Sequence, residues 1–181
     1  MRLVAGMTIA GTVYDHKDEL PTTRGIHVEV DVFLADSAEA VQGKIYALGA
    51  GWNLLWAHAF PVTQPRIAIG IIVRVPYTAT NQMHNLSVSL QTEDGETVQL
   101  GLIEPPGGGD AQPLNELGGQ FNVGRPPLLP AGDEQVLALA LQIDGLTFRA
   151  PGMFSWVVQI DGTEVRRVPM RVAQLAPGQA I

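Results

Sequence analysis

The stretch Val28 to Trp56, VEVDVFLADSAEAVQGKIYALGAGWNLLW, decides the fold. Side chains of a strand alternate between faces with a period of two, so Val28, Val30, Val32 and Leu34 share one face while Glu29 and Asp31 take the other. This is the pattern of a half-buried strand. The polar segment Asp36 to Gly43 supplies the turn formers Asp36, Ser37 and Gly43, after which Lys44 to Leu48 runs back, so the two apolar runs are expected to pair as a hairpin. In Gly49-Ala50-Gly51-Trp52 the small residues let the backbone bend sharply before a large ring packs over it, which predicts a corner between two sheets.

The same alternation continues downstream. Arg66 to Val75 places Ile67, Ile69, Ile71, Val73 and Val75 on one face, and the small apolar residues Ala68 and Gly70 opposite predict that the second face is also partly covered. Pro76 ends that strand, and Tyr77 to Asn85 reads as a polar connection, as does Trp56 to Pro65. Leu86 to Thr92 and Thr97 to Leu102 flank Glu93-Asp94-Gly95-Glu96 and predict a second hairpin. From Ile103 to Leu117 no period is visible, and such a long loop is either mobile or functional. A short strand at Gln120 to Val123 ends in Gly124-Arg125-Pro126-Pro127, whose prolines mark an edge or crossover. Glu134 to Ile143 has helix-forming residues, yet the spacing of Leu137, Leu139, Leu141 and Ile143 predicts a strand ending at the Asp144-Gly145 turn. Met153 to Ile160 and Glu164 to Val172 flank Asp161-Gly162 as a third hairpin.

About nine short strands with no convincing helix predict an all-β, antiparallel two-sheet sandwich, broadly immunoglobulin-like. Its expected limits are an N-terminal arm over residues 1–25, a sandwich domain over 26–173 and a C-terminal tail over 174–181. At 181 residues one domain is the simplest division. No segment repeats at a fixed period, which excludes a propeller or solenoid.

Composition narrows the function classes. The net charge of −7 repels phosphate backbones, and the nearest approach to a basic cluster is Arg166, Arg167 and Arg171, so no nucleic-acid partner is expected. The absence of cysteine removes thiolate metal sites, disulfides and thiol nucleophiles. No run approaches the ~18 apolar residues of a spanning helix, and the N-terminus lacks a leucine-rich core and a small-residue cleavage site, so no membrane partner and a cytoplasmic location are expected. The charged fraction of 16% is below the usual ~25%, which leaves apolar and small residues to cover the surface and favours a protein partner or a homo-oligomer.

Several pieces together resemble an uncharacterised bacterial family, of actinobacterial type, of small β-sandwich proteins. They are Phe33-Leu34-Ala35-Asp36, Gly43-Lys44, Leu48 to Trp52, Val75-Pro76 with Asn81 and His84, Glu93-Asp94-Gly95, Phe121 to Pro127, and Pro151-Gly152 through Asp161-Gly162. The resemblance covers Val28 to Val172 and implies the fold and a bacterial source. It carries no established activity. The N-terminal arm and the Pro/Gly loop near Pro105 to Pro113 are longer than the resemblance leads one to expect.

Candidate chemistry is sparse. The histidines His16, His27, His58 and His84 lack metal-binding spacing, so no metal and no cofactor are expected. His84 and Asn81 share a polar loop beside a proline; they are either ligand-binding residues or loop-fixing hydrogen-bond partners. Arg125 joins them as a weak binding candidate. Asp36, Glu39 and Lys44 surround the first turn and read as solvated charge. Glu93, Asp94 and Glu96 hold only a fragment of a calcium loop. Trp52 and Trp56 are either core residues at a corner or a platform for stacking a sugar, whereas Trp156 alternates with core residues. With no nucleophile, base and metal assembled, the sequence predicts a non-enzymatic module that works through protein contacts and self-associates. The alternative is a carbohydrate or small-molecule site at Trp52, Trp56 and His84.

Overall fold

The computed structural model describes residues 28–105, 107, 109–128, 130–176 and 178. The expected N-terminal arm, with His16, lies outside the described residues, and so does His27 just beyond it. The described chain is all-β, with a single three-residue 3-10 turn, Tyr77–Ala79. Its strands are β1 (Glu29–Ala35), β2 (Ser37–Val41), β3 (Lys44–Leu48), β4 (Leu54–Ala57), β5 (Val62–Val75), β6 (Met83–Thr92), β7 (Thr97–Val98), β8 (Gly101–Ile103), β9 (Gln112–Leu114), β10 (Glu116–Asn122), β11 (Gln135–Phe148), β12 (Gly152–Ile160) and β13 (Thr163–Gln174). They divide among four sheets and not two. One has the order β1-β5-β11, a six-stranded sheet runs β10-β6-β12-β13-β4 with β7 beside β6, and β2-β3 and β8-β9 form two-stranded ribbons.

The strand expected from Arg66 to Val75 is the spine of the three-stranded sheet. Ile67, Ile69, Ile71, Val73 and Val75 are all fully buried, and they join Leu86, Val88 and Leu90 of β6 and Trp156, Val158 and Ile160 of β12 in one apolar core. At roughly 1.5–3 kcal/mol for each fully buried side chain, this shared layer is the main favourable term holding the two larger sheets together. The opposite face of β5 is covered too, as Ala68 and Gly70 imply. Ala35, Ala38, Ala40, Ala68 and Ala140 form a second cluster, with Phe33 and Ile45 packed on it.

The first hairpin differs from expectation. β1 pairs antiparallel with β5, and the returning strand β3 pairs instead with β2, inside the segment read as a turn. Ala38 and Ala40 alternate with Glu39 and Val41, but alanine is a weak strand signal, so a true strand looked like a polar turn. Reversal takes only Gln42 and Gly43, both at positive φ (50° and 72°), the backbone that a two-residue hairpin turn requires. The corner after β3 holds as expected: Gly51 N–H donates to the Leu34 carbonyl at 2.9 Å, and the next strand, β4, belongs to the six-stranded sheet.

Other boundaries move as well. Trp56 to Pro65, read as a connection, contains the second half of β4 and the start of β5. The return from the Glu93–Glu96 turn is only two residues long before the chain leaves for the β8-β9 ribbon, which gives the stretch read as an aperiodic loop some pairing of its own. β10 begins at Glu116 and is an edge strand, in line with the prolines that follow it. Asp144-Gly145 is no turn: β11 passes through it to Phe148, with Gly145 at φ +74° where the ladder skips between the pairs Asp144–Arg66 and Leu146–Gln64 opposite Pro65. β13 continues to Gln174, and Leu175 behind it is buried and donates its N–H to the Ala57 carbonyl, so strand pairing reaches into the residues read as a tail. The hairpin at Asp161-Gly162 forms as expected, with positive φ at both turn residues (52° and 76°).

Candidate functional site

Three of the five residues singled out from the sequence converge at one end of β6. His84 is 2% exposed and its ring lies between the 3-10 turn, the β12-β13 turn and Phe121 of β10, whose ring centroid is 5.3 Å away. Nε2 stands 2.8 Å from the Ala79 carbonyl and Nδ1 stands 2.8 Å from Asp161 Oδ2. A carbonyl oxygen only accepts, so Nε2 carries a proton. An ionised carboxylate likewise only accepts, so the contact with Asp161 favours the ring form that carries a proton on Nδ1 as well. Burial pushes the ring toward its neutral form, but the bond to Asp161, the bond to Ala79 and the charge of Asp161 together outweigh it and hold the pKa above the usual histidine value.

The neighbouring loop is fixed by the same economy. Asp161 accepts the Asn85 N–H at 2.8 Å through Oδ1 and returns its own N–H to the Asn85 carbonyl at 2.9 Å. Buried Thr80 donates its hydroxyl to the Tyr77 carbonyl at 2.7 Å. Arg125 donates Nε to the Thr80 hydroxyl and Nη2 to the Tyr77 carbonyl at 2.7 Å, and its guanidinium lies 4.0 Å from the Tyr77 ring centroid. Asn81 adopts φ 58° and gives its N–H to the Val123 carbonyl at 2.8 Å. Asn81, His84 and Arg125 are thus neighbours, and the bonds of His84 and Arg125 hold the loop in place. Asp161 is the member that sequence reasoning treated only as a turn residue.

Trp52 and Trp56 lie elsewhere. Trp56 is on β4, at the edge of the six-stranded sheet opposite β10, so neither it nor Trp52 just before it shares a site with His84. Trp52 is half-buried against the core, its Nε1 enclosed without a partner, whereas Trp56 is 43% exposed. The single site joining Trp52, Trp56 and His84 does not form. Asp36, Glu39 and Lys44 are exposed around the first ribbon, as are Glu93, Asp94 and Glu96 at their turn. Among the arginines read as a cluster, Arg167 is held by Glu164 at 2.7 and 2.9 Å and by Gln91 at 3.1 Å, and the Arg167 bond lowers the Glu164 pKa.

What sequence reasoning missed is the outer face of the β2-β3 ribbon. Ala38 and Ala40 turn toward the alanine cluster, which leaves Val41, Tyr46 and Leu48 on the other face, Tyr46 60% and Leu48 73% exposed. Glu39 stands across from Tyr46, and Lys44 across from Val41. The signal for it was present: once Ser37 to Val41 is a strand, its period of two aligns with that of β3.

Comparison with solved structures finds a likeness to the alkylpurine DNA glycosylase AlkC of Pseudomonas fluorescens bound to DNA containing an abasic site analog, at 10% identity and a TM-score of 0.40. The match covers 82% of this chain and 31% of that one, so the chain spans about a third of that protein's length. A search of curated proteins finds no match. Residues 30–173, nearly the whole of the strands just described, match the model of a family of unknown function, DUF6941, and the chain belongs to that family.

Proposed function

We propose that the protein is a non-enzymatic interaction module of a bacterial cytoplasm, an immunoglobulin-like sandwich that self-associates. The observation that carries this reading is the outer face of the β2-β3 ribbon, where Val41, Tyr46 and Leu48 stand exposed side by side. A partner that covers these residues gains free energy by removing their apolar surface from water. The face is also self-complementary. It carries Glu39 and Lys44 among the apolar residues, so a second copy of the face brings charges of both signs into one interface. The core shared by the three- and six-stranded sheets supports the sandwich reading. His84 supports the non-enzymatic one, because both of its nitrogens are committed to fixed acceptors.

Size-exclusion chromatography with light scattering tests this. The full chain elutes as a dimer or larger, and Tyr46→Glu with Leu48→Glu converts it to a monomer with an unchanged circular dichroism spectrum. A wild-type chain that stays monomeric at millimolar concentration overturns the reading.

A further inference from the structure

A cleft of about 970 Å³ opens at the end of the molecule away from His84, and it shares no residue with the β2-β3 face. Its lining includes Gly145 to Arg149 at the end of β11 and Thr97 to Gly101. β11 is the outer strand of its sheet, so its unpaired side is the one available to a segment lying in the cleft. Phe148 and Phe154, packed edge-on with centroids 5.1 Å apart, line the interior.

The edge offered by β11 has no hydrogen-bonded strand. All of its register pairs are with β5, and among the described residues no strand pairs with its other side. Natural edges are blunted by proline, by charge, by a bulge or by a covering segment; here the ladder skips at Gly145, and Leu146 to Phe148 beyond it keep regular register. Gly145 to Phe148 contains neither proline nor a charged residue. At Gly145 a β-carbon would meet nothing within 4 Å, so the face of the strand is open there. The side chains are already disposed as in a strand awaiting a neighbour: Leu146 and Phe148 are buried in the core, and Thr147 is exposed on the opposite face.

Charge selects the occupant. The turn at the mouth contributes the exposed carboxylates of Glu93, Asp94 and Glu96, against the single guanidinium of Arg149. We propose that this cleft binds an extended polypeptide segment rich in lysine or arginine, which adds as a strand to the free edge of β11 at Gly145–Phe148. Main-chain hydrogen bonds to that edge supply affinity, and the carboxylates of the Glu93–Glu96 turn supply the preference for cations.

The test uses the full isotope-labelled chain and three capped hexapeptides: Lys-Val-Lys-Val-Lys-Val, its glutamate counterpart, and the lysine peptide N-methylated at alternate residues so that ladder donors are lost. The lysine peptide shifts the amides of Gly145–Phe148 and slows their hydrogen exchange, while the other two bind at least about tenfold more weakly. Gly101→Phe blocks binding without disturbing the fold, since a β-carbon there also meets nothing within 4 Å. Glu93→Gln with Glu96→Gln weakens binding and leaves thermal unfolding unchanged. Equal binding of the N-methylated peptide, or shifts centred on β4 or β10, overturns the proposal. So does failure to bind both by this peptide at millimolar concentration and by a pooled random octapeptide library enriched in lysine and arginine.

Discussion

Asp161 Oδ2 lies 2.8 Å from His84 Nδ1, which ties the tip of the β12-β13 hairpin to the start of β6 across 77 positions of sequence. The folded-state pKa of His84 is raised, so its contribution to stability is fully present below the unfolded value of about 6.5 and is lost as pH rises through the folded value. Between about pH 5.5 and 6.5 the wild type is therefore expected to exceed Asp161→Asn in stability by about 1.5–3 kcal/mol, the range for a hydrogen bond to a charged group. The gap narrows as pH climbs above that window. Urea unfolding midpoints across the range check this, and a gap independent of pH sinks it.

The ring of Phe33 fills the space above Gly70, where a β-carbon would stand 2.2 Å from Cζ. Gly70→Ala overpacks the site and is expected to cost about 1–3 kcal/mol. Adding Phe33→Leu relieves the clash, so the double variant is more stable than the sum of the single changes predicts. Denaturant titration of all four proteins measures the coupling.

Gly118 meets a harder obstacle, the backbone. A β-carbon there would lie 2.0 Å from the Leu86 carbonyl oxygen on β6, and a main-chain atom in a ladder cannot step aside. Gly118→Ala is expected to unpair the edge strand β10 from β6. Hydrogen exchange should show protection lost from Leu117 to Phe121 while β12 and β13 keep theirs.

Trp156 is fully buried, and its Nε1–H donates to Met170 Sδ at 3.2 Å on the neighbouring strand. Met170→Leu preserves volume, a swap that by itself costs less than about 1.5 kcal/mol. Here it also strands a buried donor, which adds about 1–3 kcal/mol. Trp156→Phe in the same background removes the donor and should recover part of that loss in thermal unfolding.

What could be read in advance followed from how local each signal was. Ile67 to Val75 announces a strand because large apolar side chains occupy every second position, and Asp161-Gly162 announces a turn because both residues tolerate positive φ. Ser37 to Val41 escaped notice because its buried side chains are only methyl groups, and its removal from the turn sent β1 to a partner far along the chain. Asp144-Gly145 carries the same dipeptide as a true turn, yet β5 runs alongside it and its ladder holds the chain extended. The neighbourhood of His84 and Asn81 was visible as a polar loop. Its principal partners, Asp161 and Arg125, sit 77 and 41 positions beyond His84 in sequence, and no local period encodes a contact at that range.

The parallel pairing of Leu54–Ala57 with Arg171–Gln174 has a bearing on how the chain is made. A parallel partner cannot be reached by a tight reversal, and here the two segments are separated by most of the domain. On the ribosome, β4 must therefore wait with Leu55 and Ala57, buried in the folded protein, still uncovered until β13 has emerged. Nascent chains cut short before Arg171 are the ones expected to recruit chaperones or to aggregate.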